Sequence, residues 1–178
     1  MVTATEVLER MERKESTMLG EAVLKRIAES GVRWADLQFV DVPGGLQHIS
    51  VPAAEVDEKA FTEGIGKLDG SSIKGFKAVY DSDMVLVPDA ATFAPIPWEA
   101  GTARMFCSIK EAFGGPRFTR DSRYVAERAE EVAAAMGFHK TFWGPELEFF
   151  VFDAVSVDMA TPQRGQCYSI HSREAAWN

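Results

Sequence analysis

The stretch Asp41-Val42-Pro43-Gly44-Gly45 lies between two runs rich in β-branched and aromatic residues, and it limits what this chain can fold into more than any other stretch. Proline fixes φ and glycine opens it, so the chain is expected to reverse here. Residues 32–40 and 46–51 then pair as an antiparallel hairpin, and a sheet begins early. Upstream, Val7, Leu8, Met11, Leu19, Ala22, Val23 and Ile27 recur at helical spacing, with Gly31 as a stop. Residues 1–31 are therefore expected to form a helical extension, with the charged stretch 9–15 as a solvated face. Beyond the hairpin, residues 56–61 read as a short helix. Residues 79–87 and 103–109 read as strands around a connection carrying Pro95 and Pro97. Strands and helices in this order define a small α+β domain over residues 32–113, whose topology the pattern does not fix.

Gly114-Gly115-Pro116 marks the expected boundary. After it, Asp121 is placed to cap a helix that carries Val125, Ala129, Val132, Ala133 and Met136 on one stripe and ends at Gly137. This opens a second unit, 117–178, with a strand expected over residues 146–153 and a polar tail without a closing element. A composition of 46% hydrophobic and 26% charged residues suits a globular chain, and the net charge of −8 without a dense basic run argues against a nucleic-acid partner. No apolar stretch approaches the roughly 18 residues that span a bilayer, so no membrane partner is expected. Cys107 and Cys167 form no CxxC, which makes a reduced cytoplasm the default location.

Two segments carry candidate chemistry. In a strand Glu146 and Glu148 would share a face, about 7 Å apart at the backbone. Two carboxylates so close are either solvated or salt-bridged on a sheet face, or they bind hard cations such as Mg²⁺ or Mn²⁺, one per ion. The second segment, Asp69-Gly70-Ser71-Ser72, is either an ordinary turn stabilised by its own side chains or a carboxylate held where it can bind an ammonium ion and take its proton. Gly70 is expected to use its freedom of φ there. His48, His139 and His171 show no ligand pairing, so a structural or surface role is expected for each. Trp34, Trp98 and Trp143 read as core or interface aromatics, and Arg104 and Lys110 as sheet-edge charges.

Three stretches together resemble the opening third of glutamine synthetase: residues 34–51 (WADLQFVDVPGGLQHISV), 68–89 (LDGSSIKGFKAVYDSDMVLVPD) and 143–153 (WGPELEFFVFD). The resemblance implies a β-grasp domain followed by the truncated start of the catalytic α+β domain. It implies ligation of ammonia to glutamate at the expense of ATP through a γ-glutamyl phosphate. Asp69 matches the aspartate that binds and deprotonates ammonium, and Ser72 belongs to the same loop. Glu146 and Glu148 match two glutamates that each help hold one of two Mg²⁺ or Mn²⁺ ions. In the family the Asp69 loop enters a neighbouring subunit's site, which implies a ring-forming homo-oligomer. Asp121-Ser122-Arg123 departs from the usual Asp-Pro-Arg, and Phe76 stands where some members carry tryptophan. The family's remaining site residues have no counterpart in these 178 residues, so the chain as given is expected to be inactive, as a fragment or truncated product. Two alternatives stand beside this reading: a short module that binds or modulates full-length rings, and a relative that ligates polyamines to glutamate.

Overall fold

The computed structural model describes residues 4–158 and 167–171, and side chains over residues 17–156. The chain forms two compact units, 1–139 and 140–178.

The first unit is built on the expected hairpin. Strands β1 (Trp34–Val40) and β2 (Leu46–Pro52) pair antiparallel, with Val40 opposite Leu46. Asp41 makes the turn: its backbone amide donates to the Gly45 carbonyl at 3.0 Å and its carboxylate accepts from the Gly45 amide at 2.6 Å. Gly44 takes φ +94°, which a side chain would resist. Strands β3 (Ile65–Asp69), β4 (Asp83–Pro88), the short β5 (Ala94–Pro95) and β6 (Thr102–Glu111) complete a mixed sheet of order β2-β1-β6-β4-β3, with β5 also on β6. β6 runs parallel to β1 and antiparallel to β4. It is central, so Arg104 and Lys110 are not the edge charges expected; the Arg104 guanidinium lies over the Phe106 ring.

One face of the sheet makes the core. Ala35, Leu37, Met84, Leu86, Met105, Cys107 and Ile109 are all essentially buried, alternating along their strands as period-two side chains must. Helix α1 (Ala4–Ser30) contributes Val23, with Leu24 and Ile27 packed against it, and Phe61, Phe93, Phe76 and Phe118 fill the rest. The expected solvated face at residues 9–15 lies outside the described side chains. Residues 58–61 form a 3₁₀ turn rather than an α-helix, and residues 79–81 are likewise a 3₁₀ turn preceding β4.

Helix α2 (Ser122–Ala135) starts at Asp121 as expected and ends before Gly137 at φ +96°. It belongs to the first unit. Val125, Val132 and Met136 of its apolar stripe are exposed, so this stripe covers no core among the described residues. Trp34, Trp98 and Trp143 are exposed as well, and none serves as a core aromatic.

In the second unit, β7 (Ala154–Asp158) and β8 (Cys167–His171) pair antiparallel, a closing pair that the polar composition of the tail did not announce. The side chains of Cys167 and His171 lie outside those described. Among the described residues no helix is long and apolar enough to cross a membrane.

Candidate functional site

Asp69 ends β3 and caps the 3₁₀ turn Gly70–Ser72. Its Oδ1 accepts from the Ser71 amide at 2.9 Å and from the Ser71 hydroxyl at 2.6 Å, so the ordinary turn read from the sequence is present. The Ser71 hydroxyl and then its amide hold Asp69 below the ordinary carboxylate value; desolvation opposes them, and the hydroxyl and amide of Ser72 add smaller contributions to the lowering. Asp69 and Ser72 both face solvent. A cleft of about 440 Å³ opens beside Asp69, walled by Lys67, Asp83, Met84 and Phe113.

Gly70 is required for space rather than for φ. A Cβ there would lie 2.5 Å from Met84 Sδ and 3.2 Å from Lys77 Cβ. Its amide donates to the Ser82 carbonyl at 2.7 Å, and its carbonyl accepts from the Lys77 amide at 3.2 Å. The left-handed residue of the loop is Gly75, at φ +85°. Phe76 follows it and is buried, 5.0 Å from the Phe118 ring and 6.0 Å from the Phe39 ring between centroids. The loop therefore hangs from the core by Phe76 and exposes Asp69 at its start.

Glu146 and Glu148 lie in the second unit, on a segment that departs from expectation. Residues 138–152 carry no regular secondary structure, and the strand begins only at Ala154. A β-strand exists through the hydrogen bonds of a neighbour, and no described strand pairs with residues 146–153. Both glutamates are exposed, so water solvates them and no counter-charge is needed. Their oxygen donors suit a hard divalent ion, but no cluster of three or more ligating side chains forms among the described residues. Among the described residues the pair does not by itself make a site.

Two residues that sequence reasoning treated as ordinary have specific partners. His48 Nδ1 lies 3.2 Å from Oδ2 of the buried Asp36, whose Oδ1 accepts from the Ser50 hydroxyl at 2.6 Å. Lys77, not singled out by the sequence, has its side chain nearly buried between Glu111 and Asp81. A lone lysine in a polar loop gives no sequence signal for such a role, since its partner Glu111 stands 34 residues away.

This arrangement, a mixed sheet with a glycine-punctuated carboxylate loop on one strand and a paired-glutamate segment further on, meets its counterpart among known proteins. Residues 31–112 match the family model described as glutamine synthetase, beta-Grasp domain, and residues 119–176 the model described as glutamine synthetase, catalytic domain. The chain belongs to the glutamine synthetase family, a family of ligases, and its first domain is the β-grasp. It is 50% identical over 155 residues to a glutamine synthetase of Sulfolobus acidocaldarius, a match covering 87% of this chain and 33% of that protein. It is 42% identical to one of Methylococcus capsulatus over 90% of this chain and 34% of that one. A 3-hydroxylaminophenol mutase of Cupriavidus pinatubonensis is 40% identical over 88% of this chain and 33% of its own length. The chain thus spans about a third of these relatives. Among solved structures, one described as a GmaS/ADP complex superposes with a TM-score of 0.56 at 19% identity, over 64% of this chain and 25% of that one. That likeness bears on the fold alone.

Proposed function

We propose that this chain supplies the ammonium-site loop and two metal-binding glutamates of an ATP-dependent glutamate–ammonia ligase. The observation that carries the reading is Asp69: an accessible carboxylate bonded by the Ser71 hydroxyl and amide, in the segment that resembles the family's ammonium-site loop. A small cation is attracted to it, and Asp69 is the proposed acceptor of its proton as the nitrogen becomes a nucleophile, the Ser71 donors making it a weaker base than an ordinary carboxylate. Ser72 helps to hold that carboxylate in its ionised form. Glu146 and Glu148 are the residues that would hold Mg²⁺ or Mn²⁺. Such ions, when bound, offset the charge that develops on phosphate oxygens. ATP and glutamate are the co-substrates of this reading, a homo-oligomeric ring its assembly, and the cytoplasm its location.

By themselves the 178 residues are proposed to form no glutamine, because among the described residues no third ligating side chain joins Glu146 and Glu148. The amine is taken as ammonia rather than a polyamine, since a carboxylate held on a short turn suits a small cation.

The test begins with the polypeptide purified from its source cells, weighed intact and assayed for glutamine formation from glutamate, ammonia and MgATP. A species of this chain's own mass is expected to be inactive, and glutamine made by it would overturn that part of the reading. In any longer active species, Asp69→Asn is expected to lower ammonia-dependent turnover by about 100-fold, the usual worth of a positioned proton acceptor. Unchanged ammonia use would remove Asp69 from the reaction.

A further inference from the structure

We infer that Lys77 is the positioning residue of the Asp69 loop, locking it to the end of the central strand through Glu111. The inference rests on the ammonium-site reading for its functional meaning, but its geometry stands on its own. Lys77 lies directly behind Gly70, the residue that follows Asp69. Its Cβ is 3.2 Å from where a Gly70 side chain would begin, and its amide donates to the Gly70 carbonyl. The Ile73 amide donates to that carbonyl as well, at 3.3 Å, so two turns of the loop close on one atom.

The side chain then runs away from the loop toward the sheet. Lys77 Nζ contacts Glu111 Oε2, the last residue of β6, and lies 3.0 Å from Asp81 Oδ2, within the loop's own second turn. The Lys77 side chain is 9% exposed, against 32% for Glu111 and 68% for Asp81. An ammonium covered by two carboxylates is held by charge-assisted bonds to both, and losing either loosens the hold. These contacts raise the Lys77 pKa above its ordinary value, Glu111 contributing most and Asp81 next. Lys77 thus joins three places: the backbone at Gly70, the turn at residues 79–81 and the end of β6. Phe76, its neighbour, anchors the loop by burial, but an aromatic ring in a core fixes depth more than it fixes the direction of the adjoining carboxylate. Lys77 supplies the missing constraint.

The test uses the full 178-residue chain and three variants: Lys77→Met, which keeps most of the apolar stem, Glu111→Gln, which removes the partner's charge from outside the loop, and Lys77→Arg, which keeps the charge. Two readouts follow the loop: hydrogen exchange of the Gly70 amide, and the titration midpoint of the Asp69 carboxylate by NMR. In Lys77→Met and Glu111→Gln, Gly70 protection is expected to fall by about tenfold, the scale of one lost charge-assisted bond. The Asp69 midpoint is expected to rise toward the ordinary 3.8 as the Ser71 donors lose their alignment. Lys77→Arg should stay near wild type on both. The Leu37 amide, in β1 between β2 and β6, reports whether the sheet is intact in each variant. Gly70 protection and an Asp69 midpoint unchanged in Lys77→Met or in Glu111→Gln, with Leu37 still protected, would overturn the proposal and leave Phe76 packing as what holds the loop. Neither readout involves ammonium or ATP, so the proposal and the ligase reading stand or fall separately.

Discussion

Asp121 shows how one side chain can organise several segments. It is 1% exposed, and its two oxygens divide the work. Oδ1 accepts from the Arg123 amide at 3.1 Å and caps α2, while Oδ2 accepts from the Ile109 amide of β6 at 3.0 Å and faces Arg117 at 3.3 Å. The cap was legible in the sequence, because an aspartate before an apolar-periodic run satisfies orphan amides of the first turn. The bond to Ile109 was not, since nothing local to residue 121 indicates a strand twelve residues back. Removing the carboxylate leaves a buried amide without its acceptor and takes from Arg117 one of two carboxylate partners, the other being Glu127 at 2.9 Å. Asp121→Ala is therefore expected to cost about 3 kcal/mol, and Asp121→Asn less, because the amide oxygen still accepts. Urea denaturation of both variants checks this, and a loss under about 1 kcal/mol for alanine would mean that water replaces the carboxylate.

At the scale of elements, what was legible depended on whether an element announces itself locally. The β1–β2 hairpin did, through Pro43-Gly44-Gly45, and so did α2, through Asp121 and Gly137. β3 did not: Ile65-Gly66-Lys67-Leu68-Asp69 is short, its alternation is broken, and its pairing with β4 shifts register between Ile65 and Leu68. Only β4 makes it a strand. Residues 146–153 fail in the opposite sense, with a strand-like composition and no described neighbour to pair with. Helix α1 adds a contact that no periodicity reveals. Gly20 is buried in it, and a Cβ there would lie 2.7 Å from Cδ2 of the buried Phe61 ring. Replacing a helical glycine by alanine contributes about 1 kcal/mol through helix propensity, while overpacking a core costs about 1–3 kcal/mol. The ring is held by the core around it, so packing wins and Gly20→Ala is expected to destabilise by about 1 kcal/mol. A rise in melting temperature would mean that Phe61 yields and α1 is limited by its own propensity.

For the whole molecule, the division at residue 139 separates two kinds of chain. The first unit closes a core around a six-stranded sheet, whereas the second shows a two-stranded pair, which alone is at most marginally stable in water. Between α2 and β7, Phe138, Phe142, Trp143, Leu147 and Phe149 are each at least 65% exposed. This is also why the Glu146–Glu148 pair was the less legible of the two candidates. The spacing of Glu146 and Glu148 defines a cation site only if a sheet holds them, and spacing alone does not say whether a sheet is there. Asp69 needed no such help, because the donors that hold it are its own neighbours Ser71 and Ser72. Aromatic side chains on exposed backbone without secondary structure are what chymotrypsin cleaves first, since little local unfolding is required. Brief digestion of the chain is therefore expected to cut within residues 138–150 and to leave a product that keeps the sheet and α2. Mass spectrometry of the first product identifies the cut, and circular dichroism of the isolated product shows whether α2 and the sheet survive it. Early cleavage inside β4 or β6 instead would mean that the first unit opens as readily as residues 138–150. A product that keeps its circular dichroism would mean that the first unit holds its fold alone, since α2 is already tied to it through Asp121, Arg117 and the Arg123–Asp89 ion pair.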